Sequence, residues 1–495
     1  MTTGEKVKME LKDKKVTVIG LARSGVGAAN LLTEMGAVVT VTDVKPEEEL
    51  ADPIKRLSPS VRLALGGHPD DLFNSAEMIV VSPGVPLELG PVASAKAKGV
   101  TVIGELELAY RIIQAAGFTG NIPFLAVTGS NGKSTTTTLL DLMLRKSGFR
   151  TLLGGNTGYA LTEGIYKIFM EKALTHDHRN GGHEPESSPD FIVAEVSSFQ
   201  LEGIEDFRPS IAAILNITPD HLDRYSSMAE YINAKARIFK RQDEGDCLLL
   251  NRDDTETEKL ERERIKTGSH KMNIFYFSRR HEVKGVYYRD GKVYCNIPGI
   301  PDLPCHAPLI DADEIRISGV HNLENAMAAS AMALLAGSPP DVIRESLREF
   351  RGLEHRLEFV RELDGVKYIN DSKGTNVGAV AKSIESFHEP LILIAGGRDK
   401  AGDFSMIRNL VSEKVRALVL IGEASGKIRD ALGDITETVL AEDLMDAVTL
   451  SREMADPGDV VLLSPACASF DMFQDFEERG GTFRKIVGRL GEKHG

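Results

Sequence analysis

The stretch VTGSNGKSTTTTLL, Val127 to Leu140, constrains this chain more than any other part of it. It follows a short apolar run, IPFLAV (Ile122 to Val127), and leads into TTTTLLDLMLRKSG, whose pattern reads as a helix stopped at Gly148. In the order strand, glycine loop, helix, backbone N–H groups can curl around phosphate oxygens, and the positive end of the helix dipole adds to the anion site. The common loop reads G-x-x-x-x-G-K-[ST]. Here Gly132, Lys133 and Ser134 fit, but Val127 stands where the first glycine belongs and the nearest earlier glycine is Gly129. The loop is a shortened T-G-S-N-G-K-S-T form. It predicts a nucleotide-phosphate site, whereas a plain strand-to-helix turn would carry its lysine by accident.

Apolar runs ending in polar residues recur on both sides of this loop. KKVTVIGLARSGVGAANLLTEMGAVVTVTD reads as strand, glycine turn, helix and a second strand closed by Asp43. Its turn offers Gly20, Ala22 and Gly25, and the alanine in the middle weakens it as a dinucleotide fingerprint. With strand candidates at MIVVSPGVP and VTVIGELEL, a Rossmann-like N-terminal domain is expected over residues 1–117. A central P-loop ATPase-type α/β domain, 118–352, continues through FIVAEVSSFQLE, IAAILNITPDHLDRY and CLLLNRDD as parallel strands with functional C-terminal ends, and KGVYYRDGKVYCNI reads as a hairpin around Asp-Gly. RGLEHRLEFV, PLILIAGGRD, VRALVLIG and DVVLLSP repeat the α/β grammar in a C-terminal Rossmann-like domain, 353–495. The fold class is therefore α/β, with three domains in series. Residues 175–189, including His176, His178 and His183, read as an inserted solvated loop rather than a metal site.

Composition removes several classes of function. A net charge of −14 argues against nonspecific nucleic-acid binding. No run approaches the length of a membrane span, and the polar first residues lack the apolar core of a signal peptide, so a cytoplasmic protein is expected. The four cysteines (Cys247, Cys295, Cys305, Cys467) have no C-x-x-C spacing, which leaves free thiols as the expectation.

A phosphate loop that works on ATP needs a hard cation with oxygen ligands. Ser134 and Glu195, the latter at the end of FIVAEV, are the candidates for Mg²⁺. NITPDHLDRY adds Asn216, Asp220, His221, Asp223 and Arg224, where His221 reads either as a second metal ligand or as a polar cap. Lys235 lies on a predicted helix between Ala234 and Ala236, small residues that leave its amine room; on its own it reads as a solvated lysine.

Together, TGSNGKST, AEVSSFQLE, NITPDHLDRY with AKARIF, GVHNLENAMAA, GLEHRLEFV, NDSKGTN, AGGRDK and LLSPACASFDMFQDFEERG resemble the Mur ligase family of bacterial cell-wall synthesis over nearly the whole chain. The DRY after the histidine, the NDSKGTN block and SPACASFD most resemble the branch that joins D-glutamate to UDP-N-acetylmuramoyl-L-alanine through an acyl phosphate, giving ADP and phosphate. The resemblance implies ATP and two Mg²⁺ sites as cofactors, with Lys235 carbamylated by CO₂ so that, beside His221, it attracts the second cation instead of repelling it. It places Gly129, Ser130, Asn131, Gly132, Lys133, Ser134, Thr135, Asn322, Asn325, Arg356, Asp371 and Lys373 around ATP, with Lys133, His221, Lys235 and Arg356 in the chemistry. For the UDP substrate it implies Arg23, Ser24, Asp43, Ser82, Gly84 and Asn156, and for D-glutamate Thr375, Lys400, Ser469, Phe470 and Phe476. The implied partners are these small molecules, and a monomer is expected.

The sequence departs from the family pattern at two places. GLARSG replaces the usual G-L-G-x-[ST]-G, so that Arg23 is expected to add a phosphate contact, and Val44 and Lys45 follow Asp43 where a short polar residue and arginine are usual. Three rival readings are a folylpolyglutamate synthase, which would lack the first domain, an NAD-dependent oxidoreductase, against which the broken fingerprint speaks, and a noncatalytic ATP-driven switch.

Overall fold

The structure is a computed structural model that describes residues 10–115, 121–156, 158–176, 188–221, 224–265, 271–317 and 319–491. The expected boundary at 117/118, Asp223 and most of the 175–189 insertion, including His178 and His183, lie outside the described residues.

Among the described residues the strands form three sheets of five, nine and six strands. The central strands of each are buried on both faces. In Phe124–Thr128, Phe124 and Ala126 enter one core while Leu125 and Val127 enter the other, as the two-residue period of a strand requires when both faces are covered. The first sheet runs 3-2-1-4-5 counted along the chain, the Rossmann order, and is parallel throughout. In the second, the loop-bearing strand Phe124–Thr128 pairs in parallel with Phe191–Glu195 on one side and Ile211–Ile214 on the other. Beyond these, the expected Asp-Gly hairpin joins Gly285–Arg289 to Lys292–Asn296, with Asp290 and Gly291 both in the left-handed region, and a further antiparallel strand, Ala307–Asp311, follows. In the third sheet, Val366–Asn370 and Leu391–Gly396 flank Val460–Leu463 in parallel, and one antiparallel strand, Glu358–Leu363, closes an edge.

The first two units do not have separate cores. One buried cluster runs from Val16 and Leu31 through Ile112 to Phe124, Phe207 and Tyr231. Helix Arg23–Glu34 packs on helix Leu161–His176, and Gly104 N–H donates to Gly203 O at 2.8 Å. Glu107, fully buried on helix Glu105–Ala115, accepts the N–H groups of Glu205, Asp206 and Phe207 at 2.9 to 3.0 Å, so its charge is met by donors of the second unit. The third unit has cores of its own, one on each face of its sheet. It meets the second unit mainly through polar side chains, as the site below shows.

Candidate active site

Three strand ends meet at the C-terminal edge of the second sheet, and that meeting builds the site. Phe124–Thr128 delivers the loop, Phe191–Glu195 delivers the Glu195 carboxylate, and Ile211–Ile214 delivers Asn216. Gly129 and Gly132 have φ of 152° and 84°, and a Cβ on Gly132 would lie 2.2 Å from Asn325 Oδ1, so only glycine fits. The loop is braced from the third of these strands. Asn131 N–H donates to Asn216 Oδ1 at 2.8 Å, and Ser130 Oγ donates to Thr218 O at 2.8 Å. Helix Lys133–Lys146 then starts with no side chain capping it, which leaves its first N–H groups pointing at the loop.

Positive charge is packed around the carbonyl of Gly129. Lys133 Nζ donates to it at 2.8 Å, and so does Lys235 Nζ, reaching in from helix Met228–Ala236. Lys235 is 1% exposed, not the solvated lysine its helix alone suggests. Burial pushes the pKa of both ammonium groups down, and Lys133 pushes Lys235 further the same way while Asp220 acts against it. Arg356, from the stretch that links the second and third units, donates to Ser134 Oγ at 3.3 Å, and Lys373 sits 3.4 Å over the ring of Phe476. Four basic side chains thus surround the loop, with Glu195, Asp220, Asp371 and Glu477 as the nearby carboxyl groups. A multiply charged anion is the partner this arrangement suits.

Two clefts open from the loop toward the third unit. One takes in Gly132, Thr135, Asn325, Arg356, Asp371 and Lys373. Asn322 borders a neighbouring groove with Thr135 and Arg356. The other cleft, of about 580 Å³, brings Lys133, Asn156, His221, Lys235 and Lys373 together with Thr375, Lys400, Ser469, Phe470 and Phe476. All five residues expected at D-glutamate therefore share one cavity with the phosphate-loop lysine. Asp220 ties the seam: Lys400 lies 3.7 Å from it, His221 3.6 Å, and Asn376 donates to it at 3.3 Å while also donating to Asn131 Oδ1 at 3.2 Å. The Asp371 carboxylate accepts from Ser383 and Ser464 at 2.7 and 2.6 Å, and burial raises its pKa.

The residues expected at the UDP group gather on the edge of the first sheet. Asp43 accepts from Leu21 N–H at 2.7 Å and Lys45 N–H at 3.0 Å, which fixes the glycine turn, and Ser82 Oγ donates to Gly20 O at 2.9 Å. Ser24 is half-buried beside them, and Gly84 O accepts from Arg224 at 3.4 Å. Arg23 points elsewhere, onto backbone carbonyls of the second unit.

Ser134 and Glu195 fit a magnesium ion by donor chemistry, since a hydroxyl and a carboxylate beside a phosphate site leave the remaining positions to phosphate oxygens and water. Among the described residues no three His, Cys, Asp or Glu side chains assemble into a metal set. Such a set is not needed where the nucleotide supplies ligands. Lys235 as an ammonium cannot ligate a cation.

The sequence matches three family descriptions in chain order: Mur ligase MurD-like, N-terminal domain over 14–104, Mur ligase middle domain over 127–333, and Mur ligase, glutamate ligase domain over 355–467. It is 44% identical over 489 residues to the UDP-N-acetylmuramoylalanine--D-glutamate ligase of Geotalea uraniireducens, covering 98% of this chain and 100% of that one. The same-named protein of Trichlorobacter lovleyi is 46% identical over 484 residues, covering 97% and 100%. The chain belongs to the Mur ligase family. The fold agrees with solved structures: a pseudomurein peptide ligase type C from Methanothermus fervidus aligns with a TM-score of 0.57 at 19% identity, covering 96% of this chain and all of that one. The UDP-N-acetylmuramate-alanine ligase MurC from Thermotoga maritima aligns at 0.55 and 19%, covering 96% and 99%.

Within this Mur ligase site, motif reading left several residues unassigned. Asp220 stood in a quoted motif with no role, yet it holds the seam. Asn376, the last letter of NDSKGTN, is the direct link from the third unit to the phosphate loop. His321 is half-buried in the cleft that holds Gly132 and Asn325, where loss of solvation pushes its pKa down to about 4 and keeps it neutral; nothing in its neighbourhood in sequence signals this. Arg479, 1% exposed, donates to Ser372 O and Cys467 O at 2.8 and 3.2 Å and joins the loops that carry Lys373 and Ser469.

Burial pushes the Lys373 pKa down to about 8, with Arg356 adding to the effect. The ammonium is charged below that pH and lost above it. Nucleotide affinity is therefore expected to weaken as pH rises from about 7 to about 9, by up to about tenfold per unit at the steep end, a window above the nucleotide's own phosphate titration near ~6. Calorimetric titration with ADP should show this in the wild type and a flatter profile in Lys373→Met. Equal slopes in the two proteins would contradict the assignment.

Proposed function

We propose that this chain joins D-glutamate to UDP-N-acetylmuramoyl-L-alanine at the expense of ATP, releasing ADP and phosphate, as a step of peptidoglycan precursor synthesis. The full-length identity to the D-glutamate ligases supports it, but one observation carries it in structural terms: Lys133 shares a cavity with Thr375, Lys400 and Ser469. That cavity can hold an acyl phosphate and an amino-acid carboxylate side by side.

A carboxylate is a poor electrophile, so it is first activated. In the proposed mechanism an L-alanyl carboxylate oxygen attacks the γ-phosphorus and ADP leaves. The D-glutamate nitrogen, as the free amine, then attacks the acyl carbon, phosphate leaves, and the amine proton is given up to a bound carboxylate. The loop N–H groups, Lys133 and Arg356 offset charge on the transferring phosphoryl group, and the rest of the catalysis is positioning. Asn322, Asn325, Asp371 and Lys373 hold the nucleotide. Thr375, Lys400 and backbone N–H groups near Ser469 grip the D-glutamate carboxylates, and Phe470 and Phe476 wall its pocket. Ser24, Asp43, Ser82 and Gly84 bind the UDP group. Ser134 and Glu195 would hold one Mg²⁺ and His221 with a carbamylated Lys235 a second; the ions would supply charge neutralisation. The lowered pKa of Lys235 favours the neutral amine, the form whose lone pair attacks CO₂. Among the described residues no helix is long and apolar enough to cross a membrane. The cytoplasm, where ATP and UDP-sugars occur, is the compartment this reading implies. All groups come from one chain, consistent with a monomer.

Phosphate release with ATP, Mg²⁺ and UDP-N-acetylmuramoyl-L-alanine is expected with D-glutamate and absent, or at least about a hundredfold slower, with L-glutamate, L-alanine, L-lysine or diaminopimelate. Release that depends on another amino acid would sink the proposal. Lys235→Ala is expected to lose activity and to recover part of it in added short carboxylates, which stand in for the carbamate. An unimpaired Lys235→Ala enzyme would rule the carbamate out.

A further inference from the structure

Arg23 opens helix Arg23–Glu34 in the first unit, next to the glycine turn, where a phosphate contact is the natural expectation. Its guanidinium instead donates from Nη1 to Gly158 O at 2.7 Å and from Nη2 to Asn156 O at 3.1 Å. Both acceptors belong to the second unit, in the turn that leads from strand Thr151–Gly155 to helix Leu161–His176. A planar fork with two parallel N–H groups suits two carbonyls in a way a lysine ammonium does not.

The gripped residue is itself spent on Glu195. Asn156 N–H donates to Glu195 O at 2.9 Å, and its side-chain amide donates to Glu195 Oε1 at 2.8 Å. The far end of the same turn is held from the first unit as well. Glu105, 1% exposed, accepts both the N–H and the hydroxyl of Thr162 at 2.8 Å, and a Cβ on Gly27 would lie 2.7 Å from Thr162 Oγ1. The first unit therefore clasps both ends of a turn whose side chain orients a carboxylate of the phosphate site.

We propose that Arg23 is a positioning residue for the ATP–metal site: by holding Asn156 it fixes the direction of Glu195, and it does not bind the UDP phosphates. The role of Glu195 in this inference rests on the function proposed above. Removing a group that orients a metal ligand typically costs about tenfold to about a hundredfold in metal affinity or activity. A phosphate ligand, by contrast, acts on substrate affinity.

The test uses the full chain and its Arg23→Ala, Arg23→Lys, Asn156→Ala and Arg23→Ala/Asn156→Ala variants. Mn²⁺ binding in the presence of ADP is read by electron paramagnetic resonance, UDP-N-acetylmuramoyl-L-alanine binding by calorimetry, and kcat and KM by phosphate release. Arg23→Ala is expected to weaken Mn²⁺ binding and lower kcat by about tenfold, leave KM and affinity for the UDP substrate within about twofold, and add little to Asn156→Ala in the double variant. Arg23→Lys should fall between, since one ammonium can meet only one carbonyl well. A tenfold rise in KM and Kd for the UDP substrate with Mn²⁺ binding unchanged would overturn the proposal in favour of a phosphate contact, and so would variants indistinguishable from the wild type. Thermal unfolding checks that the variants fold; if Arg23→Ala does not, Arg23→Lys and Asn156→Ala decide by the same Mn²⁺ reading. That reading needs no acceptor substrate. A wild type that releases no phosphate with D-glutamate would therefore defeat the ligase reading while leaving the Mn²⁺ comparison valid.

Discussion

Two ammonium groups, of the buried Lys235 and the half-buried Lys133, share one carbonyl oxygen, that of Gly129, and much of the rest of the site is arranged around that fact. Lys133 and Lys235 are both driven toward their neutral forms by loss of solvation, and Lys133 drives Lys235 further the same way. Glu195 and Asp220 offset part of the charge, while Arg356 and Lys373 add more from the side of the third unit. A site left with this excess of buried positive charge is costly in the unliganded protein and favours a polyphosphate strongly. Binding energy is thereby directed at the group that reacts, in accord with the principle that interactions realised at the reacting centre are the ones that raise rate.

The division of labour between the units follows. The first and second share a core and are bolted by Glu107, Glu105 and Arg23, so the UDP edge and the phosphate loop keep a fixed relation. The third approaches over a polar seam in which Asn376, Lys400 and Arg356 reach Asn131, Asp220 and Ser134. Apolar cores lock parts together, whereas polar seams of this kind can be remade, and in this protein the seam lies between the phosphate loop and the residues proposed for the incoming amino acid.

Much of this was legible in the sequence for a physical reason. The shortened phosphate loop, the strand ends at Glu195 and Asn216, and the C-terminal motifs are local patterns, and strand order then brings them to one sheet edge. Lys235 could be flagged from motif resemblance, but its burial depends on the Gly129 carbonyl, a backbone group 106 residues away in sequence. The two antiparallel strands at the edge of the central sheet were only partly foreseen, because Ala307–Asp311 is a five-residue run that carries Pro308, a residue that argues against a strand except at a sheet edge. The contacts of Arg23 were not legible, because the glycine turn suggests phosphate while the carbonyls it binds come from a turn more than a hundred residues away. His321, Asn376 and Arg479 carry no local sign of their roles; each is defined by what the fold puts beside it.

The claim that the Gly129 loop is a charge-strained pocket matched to polyphosphate is tested most directly by thermal unfolding of the wild type and Lys133→Met, each with and without ADP and Mg²⁺. The account predicts that the unliganded variant melts at or a few degrees above the wild type, because a buried charge has been replaced by an apolar chain of similar reach, and that the nucleotide raises the wild-type midpoint but not the variant's. An unliganded variant that melts well below the wild type, or one that ADP stabilises as much as the wild type, would contradict it.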